Sequence, residues 1–183
     1  WTRVVSISFV EFTSGFRNDL GRIGRLCRDK RIIFVVDAIQ GLGALRLDLQ
    51  AIPVDFLAAD GHKWLMAPEG AGLFYVRKEG MERLAVQEVG WASVVNKEDY
   101  LNYNLTLRPD ATRFECGSPN TLGIYGLKGA LELILEVGIA AIETRVLELT
   151  DFLCGGLQRK GYRVFSSRRE GEKSGIVSFY SER

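Results

Sequence analysis

Five consecutive apolar residues, Ile32-Ile33-Phe34-Val35-Val36, end without transition at Asp37, and no other feature narrows the fold as much. A short β-branched run with no polar residue on either alternating side predicts a strand of a parallel sheet covered by helices on both faces. Asp37 then falls at the carboxyl end of that strand, where ligands bind in open α/β sheets. The neighbouring segments fit the same architecture. Val4 to Val10 is β-branched and aromatic and predicts a strand, and Thr13-Ser14-Gly15 supplies turn chemistry after it. Phe16, Leu20, Ile23 and Cys27 recur at i, i+4, i+7 and i+11 among arginines, which predicts an amphipathic helix. Val54 to Ala59 predicts another strand, ending in Asp60-Gly61-His62-Lys63. Leu73 to Val76 predicts a fourth, bounded by Gly72 and Arg77. Strands alternating with helical segments define an α/β fold with a mainly parallel sheet.

Beyond this, Met81 to Asp110 reads as loops and short elements, with Trp91, Tyr100 and Tyr103 scattered among polar residues. After Gly117-Ser118-Pro119-Asn120, a helix is predicted to about Val137 and a second over Ile139 to Leu157. Tyr162 to Phe165 and Ile176 to Tyr180 predict two further strands, so a second α+β unit begins near Gly138. There is no internal repeat and no low-complexity tract.

Charge and cysteine content exclude several functions. The 24 Lys and Arg against 23 Asp and Glu leave a formal charge of +1, so neither nucleic acid nor an anionic membrane is an expected partner. No apolar run approaches the ~18 residues needed to span a bilayer. Cys27, Cys116 and Cys154 are unevenly spaced and form no metal-ligand pattern, so no metal is expected, and a reducing cytoplasm suits them. No targeting peptide is visible before the strand at Val4.

Three residues invite a chemical reading. Asp37 is a carboxylate at the edge of a core, costly there unless a cation or donor faces it; a loop aspartate with satisfied hydrogen bonds is the bland alternative. His62, the single histidine, argues against a histidine-rich metal site and, by itself, is a structural residue. Lys63, flanked by Trp64-Leu65-Met66, is placed for partial desolvation, which favours the neutral, nucleophilic amine; the alternative is a solvated surface lysine.

Taken together, the segments Val36-Asp37-Ala38-Ile39-Gln40, Asp60-Gly61-His62-Lys63-Trp64 and Arg113-Phe114-Glu115-Cys116-Gly117-Ser118-Pro119-Asn120-Thr121 resemble the class V aminotransferase family of fold type I. That family includes cysteine desulfurases, selenocysteine lyases and isopenicillin epimerase-like enzymes. The resemblance implies pyridoxal 5'-phosphate as cofactor, with Lys63 as the Schiff-base lysine and proton shuttle and Asp37 as partner of the pyridine nitrogen. It also implies Gln40 near the phenolic oxygen, His62 on the phosphate, and Ser118 reaching the phosphate of a neighbouring subunit in a homodimer. Residues 1–137 would form the C-terminal part of the cofactor-binding large domain and residues 138–183 the start of the small domain. The whole chain would correspond to the middle of a protein about twice its length.

The implied function is turnover of a small amino acid, desulfurase- or selenocysteine lyase-like or epimerase-like. The alternative is a non-catalytic or truncated homologue that keeps the fold, in a dimerising or structural role, without a complete cofactor site. Two positions depart from the family pattern. Asp60 stands where members often carry a phosphate-binding serine or threonine, and Glu11 falls near an asparagine of desulfurases, both favouring the epimerase-like or lyase-like subgroups. Cys116 and Cys154 do not occupy the place of the desulfurase cysteine, and Cys154 is expected to be a small buried hydrophobe. A nucleotide-binding domain is disfavoured because no Gly-rich phosphate loop follows the strand at Val4 or Ile32.

Overall fold

The structure, a computed structural model, describes residues 1–181. Its centre is a four-stranded sheet in the order β1 (Val4–Ser8), β2 (Ile33–Asp37), β3 (Phe56–Asp60), β4 (Gly72–Val76). β1, β2 and β3 are parallel and β4 returns antiparallel to β3. Register places Asp37 opposite Ser8 on one side and Ala58 on the other.

Helix α1 (Leu20–Asp29) covers one face of the sheet. Asp19 caps it by accepting from the Arg22 N–H at 2.9 Å, so the helix begins later than its apolar spacing predicts. Phe16 and Asn18 instead belong to the loop after β1, where the Asn18 N–H donates to the Phe9 carbonyl at 3.0 Å. The core under this face joins Phe34, Val36, Leu57 and Ala59 from the strands to Leu20 and Cys27 from α1 and to Ala44, Leu45 and Val54.

The other face differs from the expectation of two covering layers. Ser6, Asp37, Ala58 and Phe74 are exposed there, Phe74 by 44%, although the Phe114 ring meets Phe74 edge-on at 5.6 Å between centroids. Continuous apolarity therefore marks Ile33–Val36 as strand, but only Phe34 and Val36 are fully buried.

Helices α2 (Thr121–Val137) and α3 (Ile139–Arg159) follow, separated by Gly138 at φ +85°, a backbone conformation open to glycine. Leu127 and Ile134 of α2 pack on Leu65, Ala67 and Ala71, bracing from behind the loop that carries Lys63. β5 (Arg163–Val164) and β6 (Phe179–Tyr180) pair antiparallel, each shorter than its apolar segment predicts. Residues 81–110 contain the end of a 3-10 helix (Lys78–Arg83) and irregular chain, as their sequence predicts. No helix among the described residues is long and apolar enough to cross a membrane.

Polar contacts tie α3 and the segment before β6 to the loops that follow β1 and β2. Glu143 of α3 accepts from Arg17 Nη1 at 2.5 Å and from the Arg46 N–H at 3.0 Å. The buried Ser174 hydroxyl donates to the Gly15 carbonyl at 2.6 Å.

Candidate functional site

Parallel pairing brings the carboxyl ends of β1, β2 and β3 to one edge, and the polar residues after each strand gather there. The Phe9 N–H donates to the Asp37 carbonyl at 2.7 Å and the Ala38 N–H to the Ala58 carbonyl at 2.9 Å, which carries the pairing to the point where the turns begin. Asp37 is exposed, not at the buried edge its position suggested; its Oδ1 accepts from the Ile39 N–H at 3.0 Å. That Asx-type bond shapes the turn into Gln40, which is half-buried, while Oδ2 has no partner among the described residues.

Asp60 ends β3 opposite Gly72 of β4. The next residue is glycine for a steric reason: a Cβ on Gly61 would lie 2.5 Å from the Ala71 carbonyl oxygen and 2.8 Å from the Ala67 Cβ. The turn closes through Gly61 N–H to Ala71 O at 2.8 Å and Ala67 N–H to Gly61 O at 2.9 Å. Around this hinge Asp60 Oδ1 and His62 Nδ1 meet at 2.9 Å, and the hydrogen bond from His62 holds the Asp60 carboxyl below the usual carboxylate range. Lys63 stands at the tip of the turn and is exposed, so the partial desolvation expected from its apolar neighbours is absent; Leu65 turns inward while Met66, at φ +57°, turns out.

Asp37 and Asp60 share a shallow cavity of about 670 Å³ on the open sheet face with Ile39, Ala58, Phe74 and Phe114. His62, Lys63, Gln40 and Ser118 do not line it. Ser118 is exposed two residues before Asn120, which caps α2 through the Gly123 N–H and donates to the Gly70 carbonyl at 3.0 Å. The Ser118 turn is thereby anchored to the connection between the Lys63 loop and β4.

Glu11 leaves β1 on the same side, and its Oε1 accepts from Asn18 Nδ2 at 2.9 Å, a bond that nothing in the local sequence announces. Phe114, which also walls the cavity, was legible only as part of the third sequence motif, and its neighbour Thr112 lies just before that motif. Cys154 is buried, and burial pushes its thiol up, whereas Cys116 is exposed. No metal-ligating cluster occurs among the described residues.

An α/β sheet with its polar turns at the parallel-strand edge, followed by a helical pair and a small sheet, is the architecture of the fold type I enzymes. The Aminotransferase class-V profile matches residues 1–183, and the chain belongs to that family. A probable cysteine desulfurase of Pyrococcus abyssi is 31% identical over 177 residues, spanning 97% of this chain and 43% of that protein. The structure of an apo cysteine desulfurase from Thermococcus onnurineus superposes with a TM-score of 0.89 at 28% identity, covering 98% of this chain and 44% of the other. A C-DES variant with glycine covalently linked to its PLP cofactor superposes with a TM-score of 0.87 at 26% identity, covering 99% and 48%. The chain thus spans less than half the length of the relatives it matches.

Proposed function

We propose that this chain forms the cofactor-binding core of a pyridoxal 5'-phosphate enzyme acting on a small amino acid, of the cysteine desulfurase or selenocysteine lyase type. One observation carries the reading: Asp37 and the Asp60-Gly61-His62-Lys63 turn follow adjacent parallel strands at one sheet edge, in a chain that belongs throughout to this family. The donor set also fits the cofactor. Asp37 keeps Oδ2 open for a pyridine N–H, Lys63 has no ion-pair partner among the described residues, and the Ser118 hydroxyl and His62 Nε2 are likewise unengaged there.

When bound, pyridoxal phosphate supplies the electron sink that makes a proton at the substrate Cα removable. The chain's own residues then divide the work. Lys63 is the amine that would hold the cofactor covalently and would take and return the substrate Cα proton. Asp37, fixed by its own turn, would accept from the pyridine N–H through Oδ2. Gln40 would orient the phenolic oxygen, and His62 with Ser118 of the partner subunit would bind the phosphate in a homodimer. Residues 1–137 serve as the large-domain portion and 138–183 as the start of the small domain. The free thiols suit a reducing cytoplasm.

A second reading, a homologue that keeps the fold without a complete cofactor site, draws support from the exposure of Lys63 and the open face beside Asp37. Incubation with pyridoxal phosphate, borohydride reduction and peptide mass mapping separates the two. Modification confined to Lys63, and lost in Lys63→Ala, is the expected result; no labelling, or labelling spread over surface lysines, rejects the enzyme reading for this chain.

A further inference from the structure

The residue at position 60 poses a problem that the geometry resolves. A carboxylate at a strand end beside a phosphate site would repel the anion, and the family resemblance leads one to expect a hydroxyl donor there. Yet Asp60 does not stand alone at the cavity edge. Its Oδ1 lies 2.9 Å from His62 Nδ1 and also accepts the His62 backbone N–H at 3.4 Å, so one oxygen grips both the ring and the main chain of the same residue.

Three features make this grip a fixed arrangement. Asp60 is locked in the sheet by its pairing with Gly72. Gly61 lets the backbone press against Ala71, a path that any Cβ would block. The carboxyl is held low by the His62 hydrogen bond, and an ionised carboxylate only accepts.

We propose that Asp60 is a positioning residue: it holds the Nδ1–H of His62 and so presents Nε2 outward as the atom that meets the cofactor phosphate. This rests on the cofactor reading above. The nitrogen that carries the proton in a neutral imidazole is set by the bond its other nitrogen makes. With Nδ1–H committed to Asp60, a proton added to the ring goes to Nε2, facing the anion. A ring carrying both protons would donate from Nδ1 to Asp60 and from Nε2 to the phosphate, and so would stand between the two negative groups. Histidine replaces the hydroxyl as the anion contact of this turn, and Asp60 changes from an obstacle into the anchor of that contact.

The single histidine makes the test direct. Long-range 1H–15N correlation spectra of the labelled chain without cofactor should show the neutral ring protonated at Nδ1. Asp60→Ala should shift the ring towards the Nε2–H form, and Asp60→Asn, whose amide oxygen still accepts, should retain Nδ1–H. In parallel, pyridoxal phosphate uptake at Lys63 by borohydride trapping should weaken roughly three- to tenfold in Asp60→Ala, the worth of one orienting hydrogen bond, and less in Asp60→Asn. An Nε2–H ring in the unaltered chain, or one unchanged by Asp60→Ala, overturns the positioning role even if Lys63 is labelled. The expected tautomers without labelling of Lys63 would instead reject the cofactor reading while leaving the Asp60–His62 arrangement intact.

Discussion

At the scale of single residues, the strand-end turn depends on the absence of one carbon. Gly61 is buried with the Ala71 carbonyl on one side and Ala67 on the other, both backed by α2, so neither yields easily to a methyl group. Gly61→Ala should therefore destabilise the fold by about 1–3 kcal/mol, the usual cost of overpacking, measured as a lower urea midpoint. Because the strain falls between Asp60 and His62, the variant should also lose labelling at Lys63. Gly138→Ala provides the contrast. Nothing lies within 4 Å of its added Cβ, so its cost comes from the backbone alone, at φ +85° and ψ 124°, roughly 1–3 kcal/mol, and labelling should persist. Identical losses of labelling in the two variants would refute a local role for the Gly61 turn.

At the scale of elements, α2 is the brace of the site. Leu127 is 9% exposed and meets Leu65, Ala67 and Ala71, the segment just after Lys63. Leu127→Ala should cost about 2–4 kcal/mol through lost burial and the cavity left behind, seen in denaturant unfolding, and should loosen the loop enough to reduce cofactor uptake under conditions where the protein stays folded. Full uptake in the folded variant would mean that the loop holds its shape without α2. The strands that frame the site were readable because apolar runs stop abruptly at Asp37 and Asp60, and a break in hydrophobicity is a local signal. Other features were not readable because they arise from pairing between distant segments. The antiparallel return of β4, the Glu11–Asn18 bond and the exposure of Lys63 all depend on what packs where. Flanking Trp64, Leu65 and Met66 suggested a desolvated amine, but Leu65 packs inward while Lys63 remains at the solvent-facing tip. The late start of α1 had a sequence signal in Asp19, outweighed in the apolar spacing by Phe16.

At the scale of the whole molecule, charged groups tie α3 to the connection between β5 and β6, and this network should respond to acid. Asp151 of α3 accepts from Lys173 Nζ at 2.8 Å and from Arg168 Nη2 at 2.6 Å, which ties the helix to the connection between β5 and β6. These bonds, to Lys173 first and then Arg168, hold the Asp151 carboxyl below its ordinary value. A carboxyl depressed in the folded state stabilises the fold above its unfolded value, near 3.9, and that contribution disappears as the pH falls through the lower folded value. Asp60 and Asp110 are shifted in the same direction, so the loss in acid should be cumulative. Asp151 remains 47% exposed, and solvent screening limits its share to the order of 1 kcal/mol. Urea unfolding from pH 7 to pH 2.5 should therefore show stability holding down to about pH 5 and declining below about pH 4. Asp151→Asn should be less stable than the unaltered chain at pH 7, and the two curves should converge as acid protonates the carboxyl. High salt should narrow the gap at neutral pH, because a half-exposed network is screened within about 3 Å at 1 M. A gap that stayed constant down to pH 2.5 would show that Asp151 acts through the shape of its contacts and not through its charge.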